Sequence, residues 1–113
     1  MIAFIDGQFE LFKIVQKEDE TYPLNYLKNM HTKICFKELG VGDSLKSQLY
    51  QSNIEIENKI QIPQWKEIDS KCVLKIGDTY YHVYNAYHFR DEKEDIPLTN
   101  LTLEGYHDEI RIV

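Results

Sequence analysis

Histidine and cysteine side chains are the first candidates in this sequence for holding a metal ion. His82 and His88 alternate onto the same face of a predicted strand, where six residues at ~3.3 Å each place them ~20 Å apart. Because zinc–nitrogen bonds are about 2.1 Å long, these two side chains cannot share one ion. His31 and Cys35 would meet on a helix, but on a strand they lie ~13 Å apart. The spacing predicts no metal site and no cofactor.

The carboxylates offer little more for catalysis. They cluster in one run that is too polar to bury: Asp91, Glu92, Glu94 and Asp95. This run lacks the central glycine and the regular oxygen spacing of a calcium loop. Gly40-Val41-Gly42 is too short for a phosphate-binding loop and lacks its lysine, and no nucleophile motif is present. The sequence therefore predicts a protein that is not an enzyme.

Composition narrows the class of protein further. The 113 residues, with a net charge of −6, suffice for one domain, placed at residues 1–113. No apolar run approaches the ~18 residues of a membrane-spanning helix, and the first residues do not read as a secretory signal. Cys35 and Cys72 are then expected as free thiols in the cytosol, since their spacing favours no pairing. The acidic charge argues against a reader of duplex DNA, although an acidic body can surround DNA without holding it.

Tyrosine is enriched, with eight residues in the chain, of which four lie between Tyr80 and Tyr87. Strict alternation divides the strand that carries them into two faces. One face holds Tyr80, His82, Tyr84 and His88, and the other holds Tyr81, Val83, Tyr87 and Phe89. Only one face can form the core. The other is either an exposed sheet surface or a protein interface, where tyrosine is enriched.

Alternation with period two dominates the second half of the chain. Residues 54–62 place isoleucines on one face and polar side chains on the other, until Pro63 removes a ladder donor. Residues 72–76 predict a second strand, which turns at Gly77-Asp78 into a third over residues 79–89. The charged run 90–95 predicts a hairpin loop, and a fourth strand runs over residues 98–104.

The first half of the chain is more ambiguous. Residues 9–15 predict a strand with two apolar faces, which indicates burial on both sides or an interface on one. Residues 27–39 predict a strand, the alternative being a helix through Leu27, Met30 and Ile34. Asp43 or Ser44 then caps a short helical turn. Six short antiparallel strands are typical of a small β-barrel or sandwich, here with one long loop.

The order of these elements resembles the head–tail joining family of long-tailed bacteriophages, whose members are called head-closure, stopper or head–tail adaptor proteins. The similarity comprises the amphipathic strand at 54–62, an Ile68-Asp69 pair, a strand at 73–77 that ends in glycine, Tyr81-His82-Val83-Tyr84, the charged turn that starts Arg90-Asp91, and the ending Leu101-Thr102-Leu103-Glu104. Residues 9–15 match the family's opening strand, whereas residues 1–8 and 106–113 extend beyond the matched part. Residues 61–64 lack the basic–aromatic pair that family members often carry there.

The resemblance implies a structural protein of the virion neck, made in the bacterial cytoplasm and not secreted. Members are small β-barrels that form a ring below the portal and adaptor, close the DNA channel after packaging and dock the tail. We expect a monomer in isolation that joins a ring only on its connector, with DNA passing through the ring and not bound by sequence, and no membrane contact. In the family a loop between the second and third strands projects into the channel. Here it corresponds to residues 38–52, with Gly40, Gly42, Asp43, Ser44, Lys46 and Gln48 as predicted channel-facing residues.

The surface that contacts other subunits is predicted on the tyrosine-bearing strand and the C-terminal tail. Its predicted members are Tyr80, His82, Tyr84, His88, Ile110 and Ile112. Three alternatives stay open. The chain is another ring-forming tail protein such as a tail terminator, a β-barrel that binds a small ligand or peptide in a concave apolar pocket, or a small hydrolase with His82 or His88 beside a carboxylate.

Overall fold

The computed structural model of the protein describes residues 3–16, 24–40 and 56–113. These contain six strands, β1 (Gly7–Gln16), β2 (Asn25–Leu39), β3 (Ile56–Pro63), β4 (Cys72–Ile76), β5 (Thr79–Asp91) and β6 (Ile96–Gly105). All pairings between the strands are antiparallel. They run in the order β1-β2-β3-β6-β5-β4 and return from β4 to β1, so the sheet closes as a barrel. The predicted mainly-β fold of about six antiparallel strands is confirmed.

Apolar side chains that alternate inward along the strands fill the interior of the barrel. Ile60 and Ile62 of β3 and Leu101 and Leu103 of β6 are fully buried there, as the period-two pattern predicts. Ile68, from the connection between β3 and β4, packs into the same cluster. Burial of each such side chain contributes about 1.5–3 kcal/mol, so this cluster is the main attraction that holds the strands together.

β1 is apolar on both faces because both faces are covered. Phe9 and Leu11 pack in the barrel interior. Phe12, which alternates to the outer face, packs in a second cluster with Leu27 of β2 and Val73 of β4. All five side chains are buried. Of the two alternatives that the sequence left open, burial on both sides and an interface on one, the structure shows burial on both sides.

The chain that follows β6 covers the second cluster. Tyr106 packs against it, and its N–H donates a hydrogen bond to the carbonyl of Tyr80. Farther along, the N–H of Leu27 donates to the carbonyl of Arg111 at 2.6 Å, and the carbonyl of Leu27 accepts from the N–H of Val113 at 3.0 Å. Residues 106–113 therefore connect β6 to β2, two strands that are not neighbours in the barrel. We call this segment the tail strap.

β2 is a strand over its whole length, which confirms the strand prediction for residues 27–39 over the helix. Its pairing with β1 changes register, because Glu10 lies opposite Lys33 while Phe12 lies opposite Asn29. An advance of two residues along β1 thus corresponds to four residues along β2, and the two extra residues of β2 form a bulge. At its apex His31 has a φ of 53°, and its N–H donates to Oδ1 of Asn29 at 2.8 Å.

The turns agree with the sequence where the structure describes them. Gly77, with a φ of 61°, forms the turn from β4 to β5 in a backbone region that glycine adopts without steric cost. The charged run closes the β5–β6 hairpin, where Nη1 of Arg90 donates to the carbonyl of Asp95 at 3.0 Å. The helical turn predicted at Asp43 or Ser44 lies outside the described residues. Within the described part of the chain, a search for helices able to cross a membrane finds none.

Candidate functional site

β5, the strand predicted to carry the interface, does not keep one face along its length. Its register against β6 shifts between Val83 and Asn85, which makes Tyr84 an inserted residue. Before the insertion, Tyr81 and Val83 pack on the core, and after it Ala86 does. Because side chains alternate along a strand, one inserted residue exchanges its inner and outer faces.

The predicted common face of Tyr80, His82, Tyr84 and His88 is therefore wrong. Tyr80 and His82 lie on the outer face before the insertion, whereas His88 falls on the side of Ala86, which packs on the core. There its Nδ1 atom lies 2.7 Å from Oγ1 of the buried Thr99. The sequence pattern could not reveal this, because a bulge depends on how β5 is held by β6.

The same exchange turns Tyr87 and Phe89 outward, although strict alternation had placed them on one face with Tyr81 and Val83. Their rings stack with centroids 5.3 Å apart and an interplanar angle of 14°. Tyr87 is 59% exposed and Tyr84 is 38% exposed. The hairpin end of β5 thus presents an aromatic surface to solvent, which we call the β5 aromatic surface (Tyr84, Tyr87 and Phe89). Exposed tyrosines of this kind are typical of protein interfaces.

Tyr80 instead contributes to the fold. Its ring packs against Phe12, with centroids 5.7 Å apart, in the cluster under the tail strap. The ammonium of Lys75 lies 5.7 Å from the centroid of the same ring. These contacts leave Tyr80 half-buried, so little of its ring is free for a partner.

His82 joins three parts of the molecule. Its Nδ1 atom lies 2.5 Å from Oε1 of Glu104 in β6, and its Nε2 atom lies 2.6 Å from the carbonyl oxygen of Ser70, before β4. A carbonyl oxygen can only accept a hydrogen bond, so Nε2 of His82 donates to Ser70. The hydrogen bonds of His82 therefore link the β3–β4 connection to the β5–β6 hairpin.

The two predicted tail residues lie on the tail strap with exposed side chains. Ile110 is 40% exposed and Ile112 is 51% exposed. The backbone of Ile112 is nevertheless engaged, because it forms the parallel bridge with Leu27. The backbone of the tail strap thus adds to the edge of β2 within the same chain, while the side chains of Ile110 and Ile112 remain accessible.

Polar contacts fix the tail strap. Asp108 accepts hydrogen bonds from the N–H of Glu109 at 2.8 Å and from Nδ2 of Asn25 at 3.3 Å. Arg111 donates to the carbonyl of Asn25 and pairs with the carboxylates of Asp108 and Glu109. The Glu109 N–H is the main cause that lowers the pKa of Asp108; burial opposes it with a smaller effect, and the charge of Arg111 adds to the lowering. Burial raises the pKa of Tyr106, with a further contribution from the Asp108 carboxylate.

The structure describes the first three residues of the predicted channel loop, 38–52. Glu38 and Leu39 belong to β2, because they pair with β3, so the predicted start of the loop is wrong by two residues. Gly40, directly after β2, is exposed, and a side chain added there would meet no atom within 4 Å. Gly42, Asp43, Ser44, Lys46 and Gln48 lie outside the described residues, so their orientation toward a channel stays a prediction.

Two surface pockets flank the bulge of β2, which sequence analysis did not identify. One, of about 520 Å³, is lined by Glu10, Asn29, His31, Thr32 and Lys33. The other, of about 410 Å³, is lined by Leu11, Lys13, Met30, Lys66, Glu67, Asp69 and Cys72. The only sequence signal for the bulge was Asn29, because an asparagine side chain can bond the N–H two residues on and compete with the strand ladder.

Both cysteines are free thiols, Cys35 exposed and Cys72 buried. Burial raises the pKa of Cys72, against a smaller opposing hydrogen bond from the backbone of Asp69. Within residues 3–16, 24–40 and 56–113, no group of three or more histidine, cysteine or carboxylate side chains could hold a metal ion.

Comparison with known proteins does not assign this chain to a family. Neither the models of protein families nor the curated proteins contain a match to this chain.

Proposed function

We propose that this protein is a head-closure protein of a long-tailed bacteriophage. It forms a ring at the neck of the virion, closes the DNA channel after packaging and offers the surface on which the tail docks. Its partners are further copies of itself, the portal or adaptor above and the tail or tail terminator below. It is a structural subunit and carries out no catalysis.

The observation that carries the proposal is a closed antiparallel barrel with a long connection between β2 and β3. The turn between β4 and β5 comprises residues 77–78, and the turn between β5 and β6 comprises residues 92–95. The connection between β2 and β3 comprises residues 40–55. In the family that the sequence resembles, this is the connection that projects into the channel. The match between barrel, strand order along the chain and long connection supports the neck assignment.

The charge of the molecule agrees with this role. A net charge of −6 disfavours retention of DNA on the wall of a channel, because like charges repel and a strongly basic wall would bind the phosphate backbone. The β5 aromatic surface and the exposed side chains of the tail strap provide apolar area for contacts with neighbouring proteins.

The test is to disrupt the gene in the phage or inducible prophage that encodes the chain and to image lysates by electron microscopy. We expect capsids that have lost their DNA beside complete, unattached tails. Expression of the wild-type gene in trans should restore infectious particles. A variant with a premature stop codon and a synonymous control at the same codon separate loss of the protein from an effect on neighbouring genes.

The same images distinguish the other assignments. Defective tails beside DNA-filled heads would favour a tail protein such as a tail terminator. Normal infectious particles from the disrupted gene would refute a place in the neck and direct attention to ligand binding at the pockets beside the β2 bulge.

A further inference from the structure

β2 has an open edge in the wall of the barrel. It pairs with β3 only through Lys37–Leu39, and the tail strap reaches it at Leu27. Between these points, residues 28–36 have no strand on the side away from β1 within the described part of the chain. The pairing of β2 with β3 ends there because of Pro63. If the register of the two strands continued, Cys35 would lie opposite Pro63, which has no N–H to donate.

The directions of the backbone N–H and C=O groups show which of them lie on the edge of β2 away from β1. The carbonyl of Phe36 accepts a hydrogen bond from the N–H of Asp6, and the N–H of Glu38 donates to the Asp6 carboxylate, so both groups point toward β1. Successive residues of a strand direct their N–H and C=O groups to opposite sides. The backbone groups of Lys33 and Cys35 therefore point away from β1, toward the open side.

β5 has the second open edge. It pairs with β4 only through Thr79–His82, whereas it pairs with β6 as far as Asp91. From Val83 onward, the described residues contribute no strand on the side of β5 away from β6. This open edge carries the β5 aromatic surface. Open edges are ready to pair with another strand.

The two edges lie on elements of opposite charge. β2 is the basic strand of an acidic protein, with Lys28, Lys33 and Lys37 against one carboxylate, Glu38. The β5–β6 hairpin is acidic, with five carboxylates against Arg90 and Lys93. Such a pair of surfaces attracts a second copy of the chain in one direction and repels it when like edges meet.

We propose that the open β2 edge of one copy pairs with the open β5 edge of a second copy. This inference rests on the proposed ring and names the contact that builds it. Because the two edges are different surfaces, the contact is heterologous, and its repetition from copy to copy generates a ring when the rotation closes. Opposite charge orients the encounter, and the β5 aromatic surface supplies apolar area beside the paired backbones.

Cys35 provides a built-in reporter of this contact, because it is exposed on the open β2 edge while Cys72 is buried. The test uses wild-type protein mixed with a Cys35→Ser/Asn85→Cys variant under mild oxidation, followed by non-reducing electrophoresis. Asn85 is exposed and follows the bulge of β5. Tyr87→Cys in the same background is a second position, in case one substitution has the wrong geometry for a disulfide.

We expect mixed disulfide dimers to form about tenfold faster than either self-dimer, because the charge pattern favours unlike edges. The disulfide traps transient contacts of a chain that we expect to be monomeric by itself, so an Asn85→Cys chain that retains Cys35 should give a ladder of covalent multimers, since each copy then carries both edges. Rising salt concentration should slow the cross-linking. The double change Lys28→Glu/Lys33→Glu should also slow it, because it removes two of the three lysines of β2.

The control for random collision is a Cys35→Ser/Ile5→Cys variant, because Ile5 is 83% exposed and lies outside the strands. If Asn85→Cys and Tyr87→Cys trap wild-type protein no faster than Ile5→Cys does, the edge pairing is refuted. The proposed function is decided separately by the lysates of the disrupted phage. A neck phenotype without cross-linking would leave the function standing and remove this contact, and cross-linking without a neck phenotype would do the reverse.

Discussion

Nδ1 of His82 lies 2.5 Å from Oε1 of Glu104, and the two residues face each other directly across β5 and β6. Each side chain is 26% exposed, so the pair is mostly shielded from water. The other ring nitrogen reaches the carbonyl of Ser70. The His82 side chain thus connects the β5–β6 pair to the segment that carries Ile68 into the core. Its loss should therefore destabilise that segment as well as β5.

Replacing His82 by alanine should lower the free energy of unfolding by about 1.5–3 kcal/mol, the usual contribution of hydrogen bonds to charged groups. Urea denaturation followed by circular dichroism measures the change. His107→Ala is the matched control, because His107 is exposed and should alter stability by no more than about 0.5 kcal/mol. Equal effects of the two substitutions would show that the His82 contacts contribute nothing to stability.

Much of the fold was predictable because period-two patterns report burial directly. Leu101 and Leu103 alternate with polar side chains and are buried, and the two apolar faces of β1 correspond to two covered faces. For residues 27–39, the choice of a strand and not a helix followed from the poor helix propensity of the β-branched and aromatic residues in that segment.

The surfaces were harder to predict because they depend on contacts between distant residues. The bulge at Tyr84 reverses the faces of β5, and nothing local to that strand indicates where an inserted residue will be tolerated. The strap that joins Arg111 to Leu27 bridges residues far apart in sequence, and an isolated tail of alternating apolar residues looks the same whether it docks in its own chain or on a neighbour.

The two thiols should differ in reactivity. Cys35 is exposed, whereas Cys72 is buried and its pKa is raised by that burial, so less of it is present as the reactive thiolate. With a chromogenic disulfide reagent at neutral pH, one thiol should react rapidly and the other only in denaturant. Cys35→Ser should abolish the rapid phase, and Cys72→Ser should leave it unchanged. A rapid phase that survives Cys35→Ser would contradict the burial of Cys72.

Docking of the tail strap should weaken in acid. The pKa of Asp108 is lowered in the folded protein, chiefly by the N–H of Glu109 and by Arg111. The contribution of this carboxylate is therefore present above the pKa of an unfolded aspartate, and it is lost as the pH falls through the lower folded value. The backbone amide of Leu27, which donates to the carbonyl of Arg111, should change its NMR shift over that range.

Asp108→Asn is the matched variant for this titration, since it removes the ionisable group and keeps the size of the side chain. We expect the Leu27 amide to lose its acidic transition in this variant. A transition that persists unchanged would assign it to another carboxylate and exclude Asp108 as its source.

Gly7 and Gly40 are both exposed glycines next to strand ends, but an added methyl group should affect them differently. At Gly7 a Cβ atom would come within 2.6 Å of the Phe36 ring, which is buried and stacks on Phe9. The ring cannot move without disturbing the core, so Gly7→Ala should destabilise the protein by about 1–3 kcal/mol. At Gly40 no atom lies within 4 Å, so Gly40→Ala should be neutral or stabilise the protein by up to about 1 kcal/mol. Thermal unfolding of the two variants measures the difference, and a Gly7→Ala protein as stable as Gly40→Ala would mean that Phe36 has room to move.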